Sequence, residues 1–221
     1  MRLSLRGEQG KYVPDDEKWT RAERALRTAL DATDVDYYEA VGEAAFYGPK
    51  ADFMARDVLG REWQLSTIQV DFIQPDRMGL SYIAEDGQER VPVVLHRAVT
   101  GSTERFLAVL IENFSGAFPV WLAPVQAVII PITDRHVPHC QELQLRLQET
   151  GLRSEVDSTS ERMTAKIRKS QLQKVPYMLV VGDKEIEADN VSVRLRSGED
   201  LKAMPVSEFI KLTRKAIDTG E

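Results

Sequence analysis

Apolar positions in the first half of the chain follow two different spacings. Trp19, Ala22, Leu26, Ala29 and Leu30 recur at helical intervals, which predicts one buried stripe on a helix. Pro14-Asp15-Asp16-Glu17 precedes it, and carboxylates there complement the positive end of the helix dipole. Residues 34–48 read as a short strand and a loop. Residues 53–56, 62–72, 78–82 and 91–96 alternate as strands do, and Asp57-Val58-Leu59-Gly60 and Asp86-Gly87 supply turns. Gly101-Ser102 then opens an apolar helix over 103–114. Antiparallel strands with interspersed helices make an α+β pattern.

Pro119 and Pro124 punctuate a connection, after which strand and helix take turns. Residues 127–132 and 177–181 are almost wholly apolar, as strands covered on both faces are. Strands at 152–156 and 191–195 and helices at 137–149, 161–171 and 206–216 complete the second half, with Gly151 placed to cap the first helix. This order predicts a mostly parallel sheet with helices on both faces, and domains of residues 1–124 and 125–221.

Composition narrows the class. With 43% hydrophobic and 29% charged residues, the chain has an ordinary globular balance. No apolar run reaches the roughly 18–20 residues that span a bilayer, and the Met-Arg-Leu-Ser-Leu-Arg start has no signal-like apolar region. One cysteine, Cys140, excludes an intrachain disulfide. The expected location is the cytoplasm, with no membrane partner. Residues 125–221 carry 15 basic and 15 acidic side chains, so the net charge of −6 falls on residues 1–124. Bulk charge gives no sign of nucleic-acid binding.

Four segments carry candidate chemistry. In residues 63–72, alternation puts Thr67, Gln69 and Asp71 on one face and Ile68, Val70 and Phe72 on the other. Such a strand lines a polar pocket or turns its polar side to water. Gln64 has the opposite parity to Gln69, so both enter one site only if a bulge or strand end intervenes. In Gly101-Ser102-Thr103-Glu104-Arg105, Ser102 is a helix cap and Arg105 a cation in the first turn, where the dipole disfavours it. A bound phosphate would explain that Arg; pairing with Glu104 would explain it equally. Tyr47 and Lys50 flank a Gly-Pro turn, and His96 ends a strand. One histidine is a candidate metal ligand but does not make a metal site. Finally, Arg162, Lys166 and Lys169 share a helical face with Arg168 and Lys174 nearby. That face is solvated or contacts RNA, extended by Arg194 and Arg196.

Taken in order, Gly-Glu-Ala-Ala-Phe-Tyr-Gly-Pro-Lys (42–50), Trp-Gln-Leu-Ser-Thr-Ile-Gln-Val-Asp-Phe (63–72), Val-Leu-His-Arg-Ala (94–98), Gly-Ser-Thr-Glu-Arg-Phe (101–106) and Trp-Leu-Ala-Pro-Val-Gln (121–126) resemble threonyl-tRNA synthetase. Val-Pro-Tyr-Met-Leu-Val-Val-Gly-Asp-Lys-Glu (175–185) resembles that family's anticodon-binding domain. The resemblance covers nearly the whole chain. It implies the end of an α+β, antiparallel-sheet class II catalytic domain followed by an α/β anticodon-binding domain.

The family activates threonine with ATP and magnesium and transfers it to its tRNA, and the whole enzyme is expected to be a homodimer. By resemblance, Ser102 and Arg105 belong to the motif that contacts the ATP phosphates, Gln64 and Thr67 lie near the nucleotide, and Tyr47, Gln69 and Lys50 surround the substrate. His96 matches one of three zinc ligands. A zinc with an open position binds the threonine amino group and hydroxyl together, where an apolar pocket separates threonine from valine poorly. The other two ligands, motifs 1 and 2 and the editing domain precede this segment in the family, so the chain is expected to be a truncated portion without aminoacylation of its own. Arg168, Glu185 and Arg194 match residues that approach the anticodon. Arg162 and Ser160 stand where the family often has a Lys and an Asn, and the shorter Ser puts one base contact in doubt. The competing expectation is a non-catalytic tRNA-binding or regulatory protein derived from the synthetase.

Overall fold

In the computed structural model, which describes residues 1–220, the chain divides between Glu112 and Asn113 into two units. The first begins with strand β1 (Arg2–Leu5) and helix α1 (Asp16–Asp31), capped by Asp15, whose carboxylate accepts the Lys18 N–H at 3.0 Å. Strands β2 (Tyr38–Val41), β3 (Lys50–Arg56) and β4 (Glu62–Asp71) follow. After them come a short helix α2 (Gln74–Arg77), the hairpin β5 (Tyr82–Ile83) and β6 (Glu89–Arg90), strand β7 (Val94–Ala98) and helix α3 (Thr103–Asn113). Five strands form one sheet in the order β2-β1-β3-β4-β7. Its pairs are antiparallel except β1–β2, which the crossover helix α1 makes parallel.

Alternation gives this sheet two unlike faces. Leu3, Leu5, Ala51, Val70 and Phe72 pack under the α1 stripe of Trp19, Ala22, Leu26 and Leu30. Arg2, Ser4, Lys50 and Asp52, one residue out of step with those, carry the other face. The α1 stripe was legible in the sequence; β1 was not anticipated. The expected strand at 78–82 shrinks to Tyr82–Ile83, because Pro75 and the Asp71 carboxylate, which accepts the N–H groups of Ile73 and Gln74, start α2 instead. The expected strand at 91–96 begins only at Val94, since Pro92 has no N–H to give a ladder. Helix α3 forms as expected but buries none of its residues.

The second unit runs β8 (Ala127–Pro131), α4 (Val137–Glu149), β9 (Ser154–Val156), α5 (Met163–Leu172), β10 (Tyr177–Val181), α6 (Asp183–Ala188), β11 (Asn190–Leu195), β12 (Asp200–Pro205) and α7 (Val206–Thr219). The sheet order is β12-β11-β10-β8-β9. Strands β9, β8 and β10 are parallel, whereas β10–β11 and β11–β12 are antiparallel, so the sheet is mixed rather than mostly parallel. Only residues 182–189 separate β10 from β11, too few for a parallel crossover. Asp189, left-handed at φ 49°, turns the chain back after α6. The central strands bury both faces. Ala127, Ile129, Leu179 and Val193 pack on α4 and α7 through Leu143, Leu147 and Phe209. Val128, Ile130, Met178 and Val180 meet Met163 and Ile167 of α5 on the opposite face.

One glycine fixes how closely the first sheet is approached. A Cβ on Gly48 would lie 1.7 Å from the carbonyl oxygen of Val70, so the turn before β3 must move to admit one. Gly48→Ala is expected to lower stability by about 1–3 kcal/mol, measured as a fall in the urea midpoint.

Candidate substrate face and nucleic-acid interface

The register of β3 against β4 shifts between Phe53 and Met54: Phe53 pairs with Ser66, but Met54 pairs with Gln64. Leu65 is therefore an extra residue, a bulge that reverses the parity of everything before it. Gln64 thereby joins Thr67, Gln69 and Asp71 on the polar face. At the open end of the bulge, the turn joining the strands is pinned by Asp57, which accepts from Leu59 N–H, Arg61 N–H and Trp63 Nε1. Burial pushes the Asp57 carboxyl up, but the Trp63 and Arg61 hydrogen bonds outweigh it and hold it at about 2.

Asp52, fully buried, is the hub of this face. Its Oδ1 accepts from Gln64 Nε2 and Thr67 Oγ1, each at 2.8 Å. Its Oδ2 accepts from Ser4 Oγ at 2.9 Å and Arg2 at 3.0 Å, with Lys50 Nζ at 3.1 Å. Burial raises its pKa, yet hydrogen bonds from Thr67, Arg2 and Ser4 and the charge of Lys50 bring it below the usual carboxylate range. The carboxylate thus stays ionised and holds Lys50, Gln64 and Thr67 in place. Sequence reasoning missed it; the available signal was an acid inside an otherwise apolar run, Ala51-Asp52-Phe53-Met54.

Further along β4, the Tyr47 hydroxyl donates to Gln69 Oε1 at 2.5 Å. Burial, with the charge of Asp71 adding to it, pushes the Tyr47 phenol up, so it remains a donor. His96 sits opposite Gln69 in the register, and its Nε2 is 2.8 Å from Asp71 Oδ2. A carboxylate behind an imidazole is the support a metal-ligating histidine usually has. Among the described residues, however, no group of three or more His, Cys, Asp or Glu comes together to hold a metal. The donors of this chain alone do not fit a zinc site.

The bulge also receives the Gly101 turn. Gly101 adopts φ +65°, and a Cβ there would lie 2.2 Å from the Leu65 carbonyl oxygen, so only glycine fits. Beyond it, Ser102 Oγ accepts the Arg105 N–H at 3.3 Å and donates to the Glu104 carboxylate. Arg105 does not pair with Glu104; its guanidinium donates to the Gln64 carbonyl at 2.8 Å and is otherwise exposed. The cation is thereby anchored beside Gln64 at the helix start, an arrangement suited to an anion.

In the second unit, α4 leads from β8 outward to the edge strand β9, and α5 leads from β9 back past β8 to β10, so the direction of the connections reverses between β8 and β10. Such a reversal point, at the carboxyl ends of the parallel strands, is where open α/β sheets bind ligands. Three loops meet that description: the turn at Asp134–His136, residues 157–162 and the start of α6. Arg162 is the N-cap of α5 and Arg168 lies exposed on that helix. Glu185 accepts the Gly182 N–H at 3.0 Å through Oε2. Arg194 pairs with Met178 in the register, on the α5 side of the sheet, and lies 3.5 Å from Asp200. Buried His136 faces the same end of the sheet, with Nε2 3.0 Å from Asp183, a residue sequence reasoning passed over.

The expected basic face needs correction. Lys166 is buried, not exposed, because it lies on the same side of α5 as Met163, Ile167 and Ser170, the side turned to the sheet. Its Nζ donates to the Asp157 carbonyl at 2.9 Å. Arg196 and Lys174 do not extend the face either: Arg196 donates to the Phe118 carbonyl and Lys174 to that of Ser115. What remains outward is Arg162 and Arg168, with Lys169 3.9 Å from Asp157.

Comparison with known proteins matches both halves. Residues 9–114 fit the model of the tRNA synthetase class II core domain (G, H, P, S and T), and residues 126–216 that of the anticodon binding domain. The RNA binding domain of threonyl-tRNA synthetase from Cryptosporidium parvum superimposes with a TM-score of 0.87 at 35% identity, covering 97% of this chain and 54% of that one. A prolyl-tRNA synthetase from the same organism shares the fold, with a TM-score of 0.60 at 23% identity over 80% of this chain and 38% of that one. Fold and matches together define a portion of a class II aminoacyl-tRNA synthetase core joined to an anticodon-binding domain. A threonine–tRNA ligase of Rubrobacter xylanophilus is 61% identical over 97% of this chain and 34% of its own length, and one of Thermus thermophilus 51% identical over 91% and 30%. The chain belongs to the threonyl-tRNA synthetase family and matches a C-terminal portion of it, spanning about a third of the length of these curated relatives. Among the described residues no helix is long and apolar enough to cross a membrane.

Removing the hub leaves Arg2 and Lys50, both mostly buried, without their counter-charge. Asp52→Leu is expected to destabilise the chain by about 3–5 kcal/mol at neutral pH. Because the folded-state pKa of Asp52 is depressed, its contribution is present above the unfolded pKa of about 4 and is lost as pH falls through the folded value. The gap in urea stability between wild type and variant should therefore close below about pH 4.

Proposed function

We propose that this chain contributes the C-terminal part of a threonine–tRNA ligase, residues 1–124 forming one wall of the threonine and ATP site and residues 125–221 reading the anticodon of tRNA(Thr). The observation that carries the reading is the bulge at Leu65, which brings Gln64, Thr67, Gln69 and Asp71 onto one polar face with Lys50 and His96. On this face Gln64 and Thr67 meet the nucleotide, and Ser102 and Arg105 the phosphates of ATP carried with magnesium. Tyr47, Gln69 and Lys50 meet threonine. Adenylate formation is an in-line displacement, for which the chain supplies positioning and fixed positive charge at Lys50 and Arg105. His96, oriented by Asp71, is a single donor toward zinc, and no step of this reading runs through the metal. In the second unit, Arg162, Arg168, Glu185 and Arg194 present charged and hydrogen-bonding groups to unstacked bases. The whole enzyme is proposed to act in the cytoplasm as a homodimer.

ATP–pyrophosphate exchange with threonine, valine and serine tests this. It is measured on the chain itself and on the chain preceded by the upstream two-thirds of the Rubrobacter xylanophilus relative. Threonine-dependent exchange is expected only in the longer protein, and Arg105→Ala there should cost about 10²-fold in kcat. Exchange absent from the longer protein, alongside tight tRNA binding by the chain, would favour a non-catalytic tRNA-binding role.

A further inference from the structure

A lysine has no packing reason to sit where Lys166 does. Its side of α5 rests on the Val128, Ile130 and Met178 face of the sheet with Met163 and Ile167, and it is only 3% exposed. An aliphatic chain of the same length would fill that space without the cost of burying an ammonium. The ammonium instead reaches the end of β9, donating to the Asp157 carbonyl at 2.9 Å. Every other polar atom of Asp157 is committed to the same junction. Its N–H donates to the Ile129 carbonyl at 3.0 Å. Its Oδ1 accepts from Thr159 N–H at 3.1 Å and Thr159 Oγ1 at 2.5 Å, and its Oδ2 faces Lys169 at 3.9 Å. Burial raises the Asp157 carboxyl, but the Thr159 hydrogen bonds and the charges of Lys169 and Lys166 hold it below the usual range. Beyond this clamp, residues 158–162 are all exposed and rich in hydroxyls: Ser158, Thr159, Ser160, Glu161 and Arg162.

We infer that Lys166 is a positioning residue for RNA, its buried ammonium fixing the loop that carries Ser160 and Arg162 in the shape that meets single-stranded bases. The inference rests on the anticodon-reading role proposed above. A loop ordered before binding does not have to be ordered at the expense of affinity. Lys166 therefore acts without touching the nucleic acid, which separates it from a phosphate-binding lysine. A phosphate contact adds to the slope of affinity against salt, whereas a buried clamp does not.

The test uses the whole chain and an anticodon stem–loop of tRNA(Thr), with a stem–loop altered in the anticodon as control. Lys166→Met keeps the length and apolar contacts of the side chain and removes the donor. It should weaken binding roughly 5- to 30-fold, leave the salt slope unchanged, and leave the melting temperature close to wild type. Lys166→Arg, which keeps a donor, should recover part of the loss. Thr159→Val breaks the other side of the clamp at an exposed position and should weaken binding in the same way even if the methionine variant folds poorly. In the RNA-free chain, the Thr159 amide should exchange with solvent faster in Lys166→Met. Unchanged affinity in Lys166→Met, or a salt slope reduced by about one, would overturn the positioning role. Equal binding of the two stem–loops by wild type would sink the anticodon reading itself, while amide exchange still judges the loop clamp.

Discussion

A single buried carboxylate organises the first unit. Asp52 lies where β1, β3 and β4 run side by side, and it takes donors from all three: Arg2 and Ser4, Lys50, and Gln64 with Thr67. An ion with no access to water is tolerable only if its lone pairs are filled and its charge is countered. Here that requirement dictates the surroundings. The three strands cannot slide without stranding the charge, and three of the side chains proposed to meet nucleotide and threonine, Lys50, Gln64 and Thr67, are among those that satisfy it. Stability and the proposed chemistry therefore draw on the same hydrogen bonds at Lys50, Gln64 and Thr67.

The second unit solves the same problem with the opposite sign. Lys166 brings a buried cation to the end of β9 and spends it on a backbone carbonyl and a nearby carboxylate. In both units a buried charge sits behind groups proposed to touch ligand, half-buried in the first unit and exposed in the second. The groups that would touch ligand, Gln64 and Thr67 in one unit and Ser160 and Arg162 in the other, are short of solvent-independent support without it. Tertiary burial thus determines where the surface chemistry stands.

Much of this was legible in the sequence, and the failures have specific causes. The α1 stripe followed from periodicity and the strands expected at 127–132 and 177–181 from unbroken apolar runs, the first ending at Pro131; the helix expected at 137–149 also forms. Parity on β4 correctly raised the problem of Gln64 and named a bulge as a solution, but no pattern locates a bulge; its signature is a register, which exists only between two strands. Lys166 was misread because residue type was allowed to outweigh spacing: Met163, Lys166, Ile167 and Ser170 are one helical face, and its neighbours marked that face as the buried one. Asp52 was overlooked because one acid in an apolar strand looks like noise until its donors, from three distant segments, are seen together. The short α6 escaped because six residues show no helical period, and β12 because, at the edge of the sheet with none of its residues buried, it carries no clear apolar face.

The bulge makes β4 behave like a reading frame. From Ser66 onward the strand is spelled in twos against β3 and β7, and before Leu65 it is spelled in twos again, displaced by one. Leu65 is the spacer between the two phases. Its presence decides which half of the strand is sense. Change by substitution and change by length are thus unequal events at this position: the first edits a letter, the second transposes Gln64 to the wrong side of the sheet and leaves Asp52 without one of its donors.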